Sequence, residues 1–152
     1  MEIIPTTIQH ILEISENITN EDLNEFKKYK TYVLKDESIS LLEHLVMASC
    51  DYEIYTMIHD SVVMAIGGEF NGCVWFLTSN YLGQQTKEIK KEFITVMNEH
   101  KEKVLDRTGY IWNFIWEGNS THINFLKMMG AEFPVVKEEI PEEFKLFIIR
   151  RK

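Results

Sequence analysis

Cysteine is scarce in this chain. Cys50 and Cys73 are the only two in 152 residues, too few for a disulfide framework. A reduced, cytosolic setting is the expectation. Arginine is scarcer relative to its kind: Arg107, Arg150 and Arg151 are the only three among sixteen basic residues, and the net charge is −8. A nucleic-acid surface needs a concentrated basic face to displace counterions, so no direct nucleic-acid contact is expected. The same balance argues against an anionic membrane surface. No apolar run approaches the roughly 20 residues of a membrane span. The opening Met1-Glu2-Ile3-Ile4-Pro5 has no basic region before a long apolar stretch and does not read as a signal peptide. The sequons Asn17-Ile18-Thr19 and Asn119-Ser120-Thr121 are therefore read as coincidence. The five histidines (His10, His44, His59, His100, His122) show no HxxxH or HExxH spacing, so no metal site is expected. No serine sits in a nucleophile-elbow context. There is no internal repeat, low-complexity tract or Pro/Gly-rich linker.

What is present fits one globular domain, residues 1–152, with 45% apolar and 26% charged residues. Met1 to Pro5 reads as a strand. Thr6 or Thr7 caps a helix with the stripe Ile8, Ile11, Leu12. Thr19-Asn20-Glu21-Asp22 resembles a capping box opening a second helix through Leu23, Phe26 and Lys27. Ser40-Leu41-Leu42-Glu43 is a cleaner box, with Leu42, Leu45, Val46 and Ser49 facing one way.

The middle is extended. Tyr52 to Ile58 alternates, His59-Asp60 turns, and Ser61 to Phe70 continues with Gly67-Gly68 as a bulge or a close backbone contact. Asn71-Gly72 signals a hairpin. Cys73 to Ser79 is an apolar run expected of a central strand buried on both faces. From about Thr86 to Arg107 the period turns helical, with Ile89, Phe93, Val96, Met97, His100 and Val104 on one face and Thr108-Gly109 ending it. Tyr110 to Trp116 is a strand, followed by a short helix from Asn119 or Ser120 to Gly130. Ala131 to Val136 and Phe144 to Ile149 are two more strands, with Glu138 to Pro141 turning between them. The class is α+β (mixed α/β): a central mixed sheet with helices on both faces.

Four places could carry chemistry. The junction Asn80 to Thr86 joins a central strand to a long helix, where backbone N–H groups and a positive helix end suit a pyrophosphate. Lys87, Lys90 and Lys91 stand nearby, although any such junction shows this pattern and lysine faces are usually just solvated. Asn119 is a helix N-cap, or an amide reaching toward a cofactor, or both. Asn113 alternates with Ile111 and Ile115, so its amide shares a core face and must find partners there, structural or ligand. Glu69, beside the hairpin, is the one acid nominated as a general base, against the plain reading of an exposed hairpin glutamate.

Four blocks carry a resemblance: Ala65-Ile66-Gly67-Gly68; Val74-Trp75-Phe76-Leu77-Thr78-Ser79; Trp112-Asn113-Phe114-Ile115-Trp116-Glu117-Gly118-Asn119; and His122 to Ala131. Over about residues 50–135 the chain resembles the small virion-morphogenesis proteins of short-tailed lytic bacteriophages, related to an internal virion protein family. The run from Asn119 to Gly130 also resembles the strand-to-helix unit that holds acetyl-CoA in the GNAT N-acetyltransferase fold. The resemblance implies a single GNAT-like domain. It implies acetyl-CoA contacts at Leu77, Ser79, Gly83, Gln84, Gln85, Thr86 and Asn119. Phe125 and Gly130 match an aromatic or apolar position and the terminal glycine of the pattern.

Two departures bear on activity. Leu126 stands where many active members carry the tyrosine that protonates the leaving thiolate. The pyrophosphate loop, expected as Gln/Arg-x-x-Gly-x-Gly/Ala, reads Asn80-x-x-Gly83-x-Gln85 here, and the Gln85 side chain crowds a backbone that must approach the phosphates. The resemblance therefore implies first a phage morphogenesis or internal virion factor that works by binding other virion proteins without catalysis. It would act in the host-cell cytoplasm during infection or in the virion interior. The alternative is an active acetyl-CoA-dependent N-acetyltransferase modifying a host or phage amine. A DNA-packaging contact is disfavoured by the charge of −8.

Overall fold

The computed structural model describes residues 1–152. Six strands form one mixed sheet in sequence order: β1 (Glu2–Pro5), β2 (Ile54–His59), β3 (Val62–Phe70), β4 (Cys73–Thr78), β5 (Tyr110–Trp116) and β6 (Phe144–Arg150). Every neighbouring pair is antiparallel except β4 and β5, which are parallel. The helices are α1 (Ile8–Asn17), α2 (Asn20–Tyr29), α3 (Leu41–Asp51), the single turn α4 (Asn80–Gly83), α5 (Lys87–Thr108) and α6 (Ser120–Met128). The crossover that makes β4 and β5 parallel is α5, as expected when a long helix joins two adjacent strands.

Local chemistry sets most element ends. Thr7 accepts from the His10 N–H, and His10 Nδ1 accepts from the Thr7 N–H, a reciprocal cap for α1. Ser40 and Glu43 do the same for α3. Asn71 and Gly72 take positive φ angles of 50° and 86°, the pair a tight hairpin requires. Gly109 ends α5 in the left-handed region.

One core lies between α1–α3 and one sheet face, around Ile14, Leu45, Ile54, Val63 and Ile66. A second lies on the opposite face, where α5 and α6 cover Ile111, Ile115, Phe147 and Ile149. Helices thus cover both faces. The inward stripes differ in detail from the periodicity. In α1 the buried residues are Ile11 and Ile14, while Ile8 is 55% exposed and Leu12 38%. In α3 the buried set is Leu41, Leu45 and Ala48; Ser49 is exposed and its hydroxyl donates to the Val46 carbonyl at 2.7 Å.

Three extended segments also differ. The bulge falls opposite Met57 and Ile58, where Met64 is the extra residue, and not at the glycines. Gly67 instead serves close approach: a Cβ there would lie 2.6 Å from the Trp75 carbonyl oxygen. Ala131 to Val136 forms no strand beyond a bridge between Glu132 and Ile148. Strand β4 is half-buried along its whole length, not enclosed on both faces. The reason is its partner. β4 meets β5 in a single register pair, Cys73 with Trp112, and the two strands then diverge.

Candidate functional site: the diverging strands

Two parallel strands that separate expose backbone N–H and C=O groups along both inner edges, and those groups need partners. At the closed end the Trp112 N–H donates to the Gly72 carbonyl at 2.9 Å. One step out, the Asn113 amide crosses the gap: its Nδ2 donates to the Val74 carbonyl at 3.0 Å, and its Oδ1 accepts from the Phe114 N–H at 2.7 Å. The mid-strand amide thus finds its partners in the strand gap.

At the open end helix α2 supplies two carboxylates. Asp22 is 4% exposed. Its Oδ2 accepts from the Thr78 N–H at 2.8 Å and the Thr78 hydroxyl at 2.7 Å. Glu25 Oε2 accepts from the Trp116 N–H at 3.3 Å. At the open end, one edge N–H of each strand, Thr78 and Trp116, is therefore held by this chain's own acids. The other oxygens of the two carboxylates converge on Asn119, whose Nδ2 donates to Asp22 Oδ1 at 2.9 Å and to Glu25 Oε1 at 2.6 Å. Asn119 Oδ1 accepts from the His122 N–H at 3.2 Å, so the fully buried side chain caps α6 and ties it to α2 at once.

His122 closes the group. Its ring packs on Phe76 at 4.2 Å between centroids. Its Nδ1 lies 3.7 Å from Glu25 Oε1 and 4.0 Å from Asp22 Oδ1, and has no hydrogen-bond partner. Asp22, Glu25 and His122 offer ligand atoms all within 4.8 Å of one another. Spacing along the sequence could not reveal this set, because two members sit on α2 and the third on α6.

Beside it opens a cleft of about 280 Å³, lined among others by Asp22, Thr78, Ser79, Gly83, Asn119 and His122. Of the positions implied for a cofactor, Ser79, Gly83 and Asn119 share this cleft. Gln84, Gln85 and Thr86 are not among its lining residues. Leu77 packs against the opposite core, beneath the α1–α3 layer. The junction is wound into α4 with its N–H groups used internally. Tyr81 donates to Ser79 Oγ, Leu82 to the Ser79 carbonyl, Gln84 to Tyr81 and Gln85 to Leu82. Thr86 caps α5 by accepting from the Ile89 N–H. Leu126 is 4% exposed and lies in the apolar core of α6.

Glu69 stands elsewhere. It lines a separate cavity of about 410 Å³ with Tyr55, His100 and Arg107. Its carboxylate is paired with the Arg107 guanidinium and accepts from the Gly72 N–H at 2.9 Å. Burial pushes this carboxyl up, but Arg107 and the Gly72 N–H outweigh it, and the net shift is downward. Burial pushes the nearby His100 imidazole down.

A family model described as "Bacteriophage T7, probable scaffold protein Gp13" matches residues 53–138. The chain is 36% identical over 90 residues to the probable scaffold protein gp13 of Escherichia phage T7, covering 58% of this chain and 63% of that relative. The match therefore spans less than two thirds of the relative's length. Among solved structures, a GNAT-family acetyltransferase from Bacillus anthracis aligns with a TM-score of 0.61 at 9% identity, over 97% of this chain and 93% of that one. The spermidine N-acetyltransferase of Vibrio cholerae, solved with CoA and spermine, gives 0.59 at 10% identity, over 98% and 94%. A ribosomal-protein-alanine N-acetyltransferase from Brucella melitensis gives 0.55 at 13%, over 99% of both chains. At such identities the likeness establishes the GNAT-like fold and nothing further.

Proposed function

We infer the role of this chain from its family: it belongs to the family of the bacteriophage T7 probable scaffold protein Gp13, on a GNAT-like fold. We propose that it acts in virion morphogenesis as an assembly or internal virion factor, binding other virion proteins in the host cytoplasm, without catalysis. The observation that carries the non-catalytic part is that this chain's own side chains occupy edge groups in the gap between β4 and β5. An extended ligand with amide groups, such as the pantetheine arm of acetyl-CoA, gains its binding from free strand-edge groups and free loop N–H groups. Here Asp22 and Glu25 hold the Thr78 and Trp116 N–H groups, and Asn113 holds the Val74 carbonyl. The two carboxylates also repel the anionic end of such a ligand. Leu126 offers no proton to a leaving thiolate, and Glu69 is held as a carboxylate by Arg107.

The test is calorimetric titration of the full chain with acetyl-CoA. The expected result is no saturable binding in the low-micromolar range. Low-micromolar binding would overturn the reading and favour the N-acetyltransferase alternative, for which the open cleft at Ser79 and Gly83 is the supporting feature. The partner arm is co-purification with the other virion proteins from infected cells, against a strain carrying the empty affinity tag. Recovery of none of them would sink the assembly role.

A further inference from the structure

We propose that Asp22, Glu25 and His122 form a binding site for a divalent transition-metal cation of the zinc class, reached from the cleft beside Asn119. This proposal does not rest on the assembly role.

Three observations converge on it. First, the two carboxylates are pre-aimed. Asp22 Oδ2 is anchored by the Thr78 N–H and hydroxyl, and Glu25 Oε2 by the Trp116 N–H, while Oδ1 and Oε1 both accept from Asn119 Nδ2 and keep further lone pairs for a cation. Outer hydrogen bonds of this kind are what orient metal-ligating carboxylates. Second, the histidine that faces them is nine-tenths buried, with 10% of its side chain exposed, and its Nδ1 has no partner. A buried nitrogen without a partner, next to two carboxylate oxygens, calls for a cation. Third, the spacing is close to what a metal needs. Bonds of about 2.1 Å in a tetrahedral site put ligand atoms about 3.4 Å apart. The observed separations from His122 Nδ1 are 3.7 and 4.0 Å, and all the ligand atoms lie within 4.8 Å of one another, so side-chain movements on the order of an ångström complete the set.

The chemistry of the donors selects the ion. One imidazole and two carboxylates suit zinc and its neighbours in the first transition row, whereas magnesium and calcium prefer oxygen alone. Asp22, Asn119 and His122 all line the cleft, so water can fill a fourth position from that side. Asn119 Nδ2, which donates to both inward oxygens, keeps them together. Thr78 is a positioning residue, acting only through Asp22.

The experiment titrates the full-length protein, stripped with chelator, with zinc chloride and in parallel with magnesium chloride. The expected result is one saturable zinc site per chain, a rise in Tm reversed by EDTA, and no response to magnesium. Glu25→Gln and His122→Gln should lose the site while keeping the wild-type circular dichroism spectrum. Thr78→Val should weaken it by about tenfold, the scale of a lost outer hydrogen bond. A measurement on the unaltered protein keeps the test independent of variant folding. On adding zinc, the His122 ring nitrogens and the Thr78 and Trp116 backbone amides should shift together in nitrogen-15 spectra. No saturable binding, or shifts confined to other histidines, would overturn the proposal. So would a His122 ring that responds to pH but not to zinc, since the group would then be a proton-bridged triad.

Discussion

The buried amide of Asn119 donates to the buried carboxylate of Asp22 at 2.9 Å, across 97 residues of sequence. That bond changes the meaning of the Asn119 position. As a helix cap alone, asparagine and aspartate are close to interchangeable. As the donor between two carboxylates, asparagine is not replaceable by an acid. We therefore expect Asn119→Ala to cost roughly 2–4 kcal/mol, from the lost cap and the lost bonds to charged acceptors. Asn119→Asp should cost about 3–5 kcal/mol at neutral pH, because it buries a third carboxylate against two others. Urea unfolding of both variants decides it. A near-neutral Asn119→Asp would mean that the amide is only a cap.

The glycines separate into two kinds. A Cβ on Gly67 would lie 2.6 Å from the Trp75 carbonyl oxygen, a backbone atom that cannot step aside without moving β4. A Cβ on Gly83 would meet nothing within 4 Å. Gly67→Ala should destabilise by about 1–3 kcal/mol, and Gly83→Ala should stay within about 0.5 kcal/mol of wild type. Equal Tm values for the two variants would contradict this.

The pairing of Glu69 with Arg107 makes an acid-sensitive contact. The folded carboxyl titrates below its ordinary value of 4.5. A group depressed on folding contributes stability that is fully present above its unfolded pKa and is lost as pH falls through the folded one. The contribution is therefore intact at neutral pH and disappears only in the acid range below the ordinary carboxylate value. With Arg107 61% exposed, solvent screening holds the pair to no more than about 1 kcal/mol. Arg107→Gln should raise the Glu69 pKa in a carbon-13 NMR titration. An unchanged Glu69 titration would show that Arg107 does not set it.

Trp116 is half-buried: its ring lies against Gly118, with Lys28 Nζ 6.0 Å from the centroid. A fully enclosed indole would cost about 3–5 kcal/mol on truncation. For this one we expect Trp116→Ala to cost about 1–3 kcal/mol, in line with partial burial. The exposed part of the ring, beside Trp112 and Phe114 on the same face of β5, is the kind of anchor that protein partners use. Co-purification of virion proteins should then fall more than the stability loss explains. A loss above about 4 kcal/mol in denaturant unfolding would instead make the ring a core anchor.

The sequence by itself determined most features that depend on a few neighbouring residues. The caps at Thr7, Thr19, Ser40, Thr86 and Asn119, the Asn71-Gly72 hairpin and the left-handed endings at Gly109 and Gly130 are short-range hydrogen bonds and φ angles. Residue type specifies them without knowledge of the rest of the chain. Apart from the expected strand at Ala131 to Val136, which is only a bridge, and the turn α4, the order of strands and helices followed, and with it the parallel pairing of β4 and β5 across α5.

Tertiary structure decided where long polar side chains are used. Asp22 reads locally as the acid of a capping box. Only the Thr19 half of that box forms, because the Asp22 carboxylate turns to Thr78, 56 residues on, and to Asn119. His122 reads as a lone histidine until α6 docks beside α2. The apolar run of β4 reads as a fully enclosed strand until β5 diverges from it. In each case the deciding quantity is the desolvation cost of a buried group, which takes whatever partner the packed fold brings within about 3 Å. That partner is set by where distant strands separate, which no local pattern encodes.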